Sequence, residues 1–506
     1  MMTSSLILIF GILILIGTFA SKIGNRFGVP VLLVFLGIGM VAGSDILGFV
    51  SLDNYVFTRD LANLALIFIL FDSGFSTKRE NLKKYAGAAL SLATLGVILT
   101  AISIGILIYF LLDIPWVNAF LIGSIISSTD AAAVMTIMRE RPVKNHVSAT
   151  LEIESAANDP MAILLTTFMI NILLLKGMPS SSEYVLFVVQ LVWQFAGGIL
   201  IARIGSWVGI KLFNKFKSAN QSMYYVLYIG VVLTIFGVAD LVKANGTIAV
   251  FFTGYTMGNS KFVFKRGLSH FISGISTFAN MIVFLLLGLL VFPKSMVKVW
   301  SSGLILSAVL MFAARPLAVF LCTLPFKFSI KDKLFISWGG LKGAVPIILA
   351  TYPVAVGLDK DGLIFNIVFF VVSLSCLLQG TTLSALAKLL KLSVPPQVHS
   401  PYSIELFALD KTEIEIIDTQ IHEGSPFVGK KLMDLFLPED MVISSIMREG
   451  KIISPRGNTV IHNNDIVFFM GHRDEIEQVI AHGGGEIPVV KNDIEGADKE
   501  SIEKIV

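Results

Sequence analysis

The stretch Leu151–Pro160, LEIESAANDP, decides the fold. It sets three carboxylates, Glu152, Glu154 and Asp159, between VSAT and MAILLTTFMI, in one of the most apolar parts of the chain. Bare carboxylates at membrane depth are costly unless they face a bundle interior or a water-filled path. The composition says that this depth is real. Of 506 residues, 55% are hydrophobic and 15% charged, against roughly 25% charged in soluble domains, and the mean hydropathy is +0.79. The chain therefore reads as a polytopic α-helical membrane protein, with the lipid bilayer as its first partner and a more polar tail.

The same figures exclude other classes. A net charge of +3 is too weak to draw nucleic acid. The two cysteines, Cys322 and Cys376, lie in apolar runs and read as small buried hydrophobes, not as a disulfide framework or a metal site. With no Lys or Arg before Lys22, the N-terminus reads as a retained first span.

A helix needs about 20 apolar residues to cross a bilayer core. That length, with charged and Gly/Pro breaks, gives thirteen spans near 4–21, 30–48, 60–77, 86–112, 115–138, 147–175, 185–213, 224–241, 244–259, 270–292, 302–325, 334–357 and 363–390. Odd-numbered connections, from Lys22 and Arg26 to Lys331 and Lys333, carry eighteen basic residues, and even-numbered ones carry six. Positive charge marks the cytoplasmic side. The N-terminus is thus expected outside and the tail in the cytoplasm.

The expected domains are a transmembrane domain at 1–392, a Pro-rich linker at 393–401, a small α+β domain at 402–484 and a disordered tail at 485–506. VPPQVHSP is the stiff linker. IELFAL, TEIEII, MVISSIM, KIISP and DIVFFMG read as strands, and GKKLMDLFLP and RDEIEQVIAH as short helices.

Three polar clusters fall inside spans. GSIISSTDAAAVM puts Ser127, Ser128, Thr129 and Asp130 in the fifth; ESAANDP puts Glu154, Ser155, Asn158, Asp159 and Pro160 in the sixth; GGLKGAVP puts Lys342 among glycines in the twelfth. Arg315, in FAARPL of the eleventh, joins them. Ser155 and Asp159 are four apart and share a helix face, with Glu154 and Asn158 on the adjacent row. Pro160 removes a backbone donor and frees a carbonyl one turn back. Carboxylate, hydroxyl and freed backbone oxygens suit a small hard cation. Desolvation favours the neutral form of a carboxylate, so one buried Asp can hold a proton or a cation in turn, which is the chemistry of an antiporter.

Blander accounts exist for several of these residues. Asp130 could cap a helix end, Glu154 and Arg315 could form a structural ion pair, and Lys342 could snorkel to the cytoplasmic surface. Asp72 and Asp240, near span ends, read as structural. Asp159 has no comparably bland account. The fifth and twelfth spans are both rich in small residues and interrupted, each opening the last pair of its block, 86–175 and 302–390. Such pairs point to a transporter's midplane site. Their half-helix ends need countercharge, Asp130 for the positive ends and Lys342 or Arg315 for the negative ones.

SSTD, ESAANDP, FAARPL and GGLKGAVP, in that order, resemble the NhaP-type cation/proton antiporters, over nearly all of residues 1–390. The resemblance implies an NhaA-like fold of about thirteen spans with inverted repeats crossing at two broken helices, a homodimer, and no enzymatic activity or cofactor. Its Asn-Asp pair implies electroneutral one-for-one exchange. Carried over, Asp159 binds cation or proton, with Ser155, Asp130 and the Thr129 backbone completing the site; Asn158 orients the unwound helix and Glu154 pairs with Arg315. One position departs, because members often carry Arg in Gly-Leu-Arg-Gly where this chain has Lys342. A desolvated lysine can lose its charge and an arginine cannot.

From GSPFVGKKLMDLFLP to DIVFFMG the tail resembles the C-terminal half of RCK regulatory domains. No Gly-x-Gly-x-x-Gly unit lies between residues 391 and 506, so the Rossmann half is absent. The resemblance implies a dimeric cytoplasmic sensor whose ligand class includes nucleotide second messengers such as cyclic di-AMP, and it tilts the transported ion toward K⁺. The expectation is K⁺/H⁺ antiport, with Na⁺ as a further substrate, across a prokaryotic inner or plasma membrane. A Na⁺/H⁺ antiporter is the nearest alternative. A ligand-gated channel lacks a Thr-Val-Gly-Tyr-Gly-type filter, and an intramembrane aspartyl protease lacks Gly-x-Gly-Asp.

Overall fold

The computed structural model describes residues 2–26, 31–49, 55–130, 134, 142–174, 181–218, 220–359, 361–394, 414–435, 437–438 and 440–482. They divide into two compact units, Met1–Pro396 and Gln397–Val506.

The first unit is helical throughout. In order it contains α1 (Met2–Arg26), α2 (Val31–Ala42), α3 (Tyr55–Ser76), α4 (Arg79–Leu112), α5 (Trp116–Ser127), α6 (Asn145–Leu174) and α7 (Ser181–Lys215). There follow α8 (Ser222–Leu241), α9 (Gly246–Gly258), α10 (Lys265–Leu289), α11 (Pro293–Cys322), α12 (Ile330–Trp338), α13 (Ala344–Ala355) and α14 (Leu363–Leu389). Among the described residues, seven helices are long and apolar enough to cross a membrane. Most of the distal half of the expected fifth span, the linker after Val394, the IELFAL strand and the polar tail lie outside the described residues.

Two helices are interrupted where the glycine- and serine-rich sequences predict. Helix α5 stops at Ser127, and Ser128–Asp130 run non-helical. Helices α12 and α13 are separated by Gly339–Gly343. The element before each break is alike: α4 carries a π-helical turn at Leu92–Gly96 and α11 one at Leu310–Ala314. A long helix with a π turn, a short helix ending in a non-helical segment and then a long helix thus occur twice among the described residues, in α4, α5 and α6 and in α11, α12 and α14. The expected interruption at Pro160 is not seen. Helix α6 is continuous through it, because a proline inside a helix costs one hydrogen bond while thirty residues of packing hold the axis.

Small residues let helices touch backbone to backbone. Gly254 and Gly258 of α9 lie against the carbonyls of Phe71 and Phe75 on α3, and Gly74 of α3 against Phe251 O. Around this seam Phe71, Phe75, Tyr228 and Val250 form one apolar cluster, and α2, α5, α10, α13 and α14 enclose the larger one. Helix α6 is also tied to α12 where both begin: His146 Nε2 lies 3.1 Å from Asp332 Oδ1. Burial alone would raise the Asp332 carboxyl, but bonds from the Ser329 side chain and backbone and from His146 outweigh it and hold it below the usual carboxylate range.

The second unit is a four-stranded antiparallel sheet, β1 (Ile414–Gln420), β2 (Val442–Arg448), β3 (Lys451–Ile453) and β4 (Ile466–His472), in the order β1-β4-β2-β3, followed by α15 (Arg473–His482). Val467 and Phe469 of β4 pack with Ile446, Ile476 and Val479. Arg448 grips the buried Asp465 at 2.9 and 2.8 Å. GKKLMDLFLP, expected as a helix, forms only a 3₁₀ turn at Leu432–Asp434. Its backbone bonds Thr459 and Ile461 instead, and this pairing removes the donors and acceptors a helix would need.

A branched side chain at the α3–α9 seam has nowhere to go. Gly254→Val should lower stability by about 1–3 kcal/mol through overpacking, read as a fall in thermal midpoint in detergent, whereas Gly230→Ala, on α8 with nothing within 4 Å of its new Cβ, should lower it far less.

Candidate ion-binding site at two helix breaks

The two breaks meet. Ser128 turns extended after α5 (ψ 149°), which carries the next residues away from the helix axis and leaves the terminal carbonyls of α5 open. The second break supplies partners: Asp130 N–H donates to Leu341 O at 2.7 Å, and Lys342 Nζ donates to Ser127 O at 3.1 Å. The Lys342 ammonium therefore sits at the negative end of the α5 dipole, and Asp130 lies beside Gly343, where α13 begins with its positive end. A Cβ on Gly343 would overlap the Asp130 carboxylate. Lys342 is 1% exposed, so it does not snorkel. Of the two cations proposed for the helix ends, Lys342 occupies that place and Arg315 does not.

Helix α6 closes the site from the other side. Its Asp159 is 6% exposed, and Ser128 Oγ donates to Asp159 Oδ1 at 2.5 Å. One turn earlier, Ser155 Oγ donates to Thr129 O at 2.9 Å, and Asn158 Nδ2 donates to Thr129 Oγ1 at 2.5 Å. Ser155 and Asn158 thus pin the unwound residues Ser128–Asp130 against α6, with Asp159 facing the break. Asn158 Oδ1 is buried with no hydrogen-bond partner among the described residues. Among the described residues no three His, Cys, Asp or Glu groups converge. A cation shell here must therefore be completed by hydroxyl and backbone oxygens, a donor set that suits a weakly demanding monovalent ion better than a transition metal.

Behind the site, Glu154 and Arg315 form a buried pair. Arg315 Nη1 is 2.6 Å from Glu154 Oε1, a contact not aligned as a hydrogen bond, and Nη2 donates to Oε2 at 2.9 Å. Arg315 follows the π turn of α11, reaches toward Ile336 O of α12 at 3.4 Å, and lies where a side chain on Gly340 would be. The pair thereby joins α6, α11 and the α12–α13 break, and it neutralises the second α6 carboxylate, leaving Asp159 as the one that faces the crossing.

The sequence-expected residues Thr129, Asp130, Ser155, Asn158 and Asp159 come together, with Lys342 adjoining and Glu154 and Arg315 behind. Sequence reasoning missed the Ser128 bond to Asp159; its signal was the doubled serine of SSTD, whose two members play different parts. It also missed why Gly340 and Gly343 are glycine, which depends on contacts across the bundle. Removing one partner of a buried ion pair strands the other, at a cost of about 3–5 kcal/mol. Glu154→Ala should accordingly cut the yield and thermal midpoint of folded protein, and the double variant Glu154→Leu/Arg315→Met should recover a large part of the loss.

Residues 10–389 match the model of the transmembrane sodium/hydrogen exchanger family, and residues 419–482 that of the TrkA-C domain. The chain is 35% identical over 477 residues to a protein of Shewanella oneidensis named K(+)/H(+) antiporter NhaP2, covering 94% of this chain and 82% of the relative. It is 34% identical over 496 residues to the K(+)/H(+) antiporter NhaP of Alkalimonas amylolytica, covering 97% and 86%. The solved structure of the sodium proton antiporter MjNhaP1 from Methanocaldococcus jannaschii aligns with a TM-score of 0.66 at 22% identity, over 76% of this chain and 99% of that one, a likeness of fold. The chain belongs to the sodium/hydrogen exchanger family, as a multi-pass membrane protein with a TrkA-C domain after its helical bundle.

Proposed function

We propose that this protein is a secondary-active, electroneutral K⁺/H⁺ antiporter that uses Asp159 as the shared site of cation and proton. One observation carries the reading: the buried Asp159 carboxylate faces the crossing of the two helix breaks, makes no ion pair among the described residues, and is held there by the Ser128 hydroxyl. Protonated, its carboxyl is neutral and tolerates the desolvated setting. Ionised, it gains most from a cation in direct contact, since the Arg315 guanidinium is paired with Glu154 and Lys342 Nζ is directed at Ser127 O. Occupancy by proton and by cation therefore exclude one another.

Asp159, the Ser155 hydroxyl, the Thr129 carbonyl and Asp130 form the cation shell, and Asn158 holds the broken segment in register. The amide at Asn158 beside Asp159 is the Asn-Asp pair of the family's electroneutral members, and it supports exchange of one cation for one proton. Two names support K⁺ as the ion, those of the relatives called K(+)/H(+) antiporter; the structural neighbour called a sodium proton antiporter supports Na⁺ as the second reading.

Thirteen spans with the N-terminus outside place the TrkA-C domain in the cytoplasm, where it regulates exchange, with a nucleotide second messenger such as cyclic di-AMP as the ligand class. The functional unit is a homodimer with an NhaA-like inverted-repeat core, in a prokaryotic cell membrane. Residues 1–392 are the transport domain, 393–401 the linker, 402–484 the regulatory domain and 485–506 a disordered tail.

Proteoliposomes with an imposed pH gradient test this reading. Added K⁺ should collapse the gradient in the wild type and fail to do so in Asp159→Asn that remains folded, and Asp130→Asn should be severely impaired. Collapse by Na⁺ alone would overturn the substrate, and wild-type rates in Asp159→Asn would overturn the site.

A further inference from the structure

The α12–α13 break strands backbone groups that no helix ladder satisfies. Asp130 N–H takes Leu341 O. Three others, the carbonyls of Trp338 and Lys342 and the N–H of Lys342, are met by one face of α14. Gln379 Nε2 donates to Trp338 O at 3.0 Å. Lys342 N–H donates to Ser375 Oγ at 3.3 Å, and Cys376 Sγ–H donates to Lys342 O at 2.7 Å. Ser375 Oγ–H donates in turn to Gln379 Oε1, which fixes the orientation of the amide. One turn further, Trp338 Nε1 donates to Thr382 Oγ1 at 2.9 Å.

Residues 375, 379 and 382 are spaced i, i+4 and i+7, so they form one stripe of α14. Ser375, Cys376 and Gln379 are 0%, 2% and 2% exposed. Polar side chains buried in a bundle are costly without partners, and here almost every partner is a backbone group of the segment that carries Lys342.

We propose that Ser375, Cys376 and Gln379 are positioning residues of the exchange site. They template the unwound Trp338–Gly343 segment so that Leu341 O meets Asp130 and the Lys342 ammonium meets the end of α5. The inference rests on the antiport reading for its functional half. A shift of this segment moves both links to the α5 break, and with them the Asp130 carboxylate against Gly343. The Glu154–Arg315 pair, on other atoms, continues to hold the helices together. Loss of the brace therefore changes the site more than it changes the fold.

The test uses the purified full chain with two readouts, amide hydrogen exchange of the peptide covering residues 338–344 and the K⁺ dependence of exchange in proteoliposomes. Gln379→Met removes both amide bonds at similar size; Cys376→Ala removes a donor that Cys376→Ser restores. Gln379→Met should speed amide exchange in this peptide and raise the half-saturating K⁺ concentration, each by about tenfold or more, and Cys376→Ala should move both in the same direction by less, because a thiol is a weak donor. Cys376→Ser should recover most of both effects. Unchanged amide exchange would overturn the brace. A lowered thermal midpoint with the wild-type half-saturating concentration and pH profile would overturn its positioning role and leave a structural one. If Gln379→Met does not fold, the Cys376 pair makes the same comparison. If the wild type exchanges no cation, the antiport reading falls and the amide readout alone decides the brace.

Discussion

The structure depends on the crossing of two interrupted helices. A membrane interior tolerates irregular backbone only where protein or water satisfies it, and here each break satisfies the other: Asp130 N–H on Leu341 O, and the Lys342 ammonium on Ser127 O. The glycines of GGLKGAVP follow from that contact. Gly343 leaves room for the Asp130 carboxylate and Gly340 for the Arg315 guanidinium, so the density of small residues is the space that charged groups occupy.

Charge is distributed around the crossing so that one carboxylate remains available. Helix α6 brings two acidic groups to the bundle interior. Glu154 is spent on Arg315, which fastens α6 to α11 and to the second break. Asp159, five residues further on, receives the neutral hydroxyl of Ser128 and makes no ion pair among the described residues. The difference between a structural and an exchangeable carboxylate is thus made by five residues of helix and by which neighbour each one meets. Ser155 and Asn158 lie between them and bind Thr129, so a change in the unwound segment is felt at Asp159 directly.

Much of this was legible in the sequence. The SSTD and GGLKGAVP interruptions follow from where polar and small residues sit in apolar runs, whereas the grouping of Thr129, Asp130, Ser155, Asn158 and Asp159 and the Glu154–Arg315 pair were implied by the family resemblance. Pro160 misled as a sign of interruption, since a helix packed along its length absorbs one missing donor. GKKLMDLFLP misled as a helix, since its apolar spacing was overridden by backbone pairing with Thr459 and Ile461. The polar stripe of α14 is written openly in SLSCLLQGTT, but its meaning lies in the backbone it faces, and no local pattern reports that. The choice between Arg315 and Lys342 as the basic side chain at the α5 end needed the fold for the same reason.

The central claim, that proton and cation compete for one carboxylate, is tested most directly by the half-saturating K⁺ concentration measured across a pH series in proteoliposomes. With pH varied only on the side that receives K⁺, the account predicts that this concentration rises as pH falls, approaching tenfold per unit where the site is mostly protonated, while the rate at saturating K⁺ keeps a common ceiling. A half-saturating concentration that stays constant while the maximal rate alone changes with pH would contradict it, by placing proton and cation on separate groups.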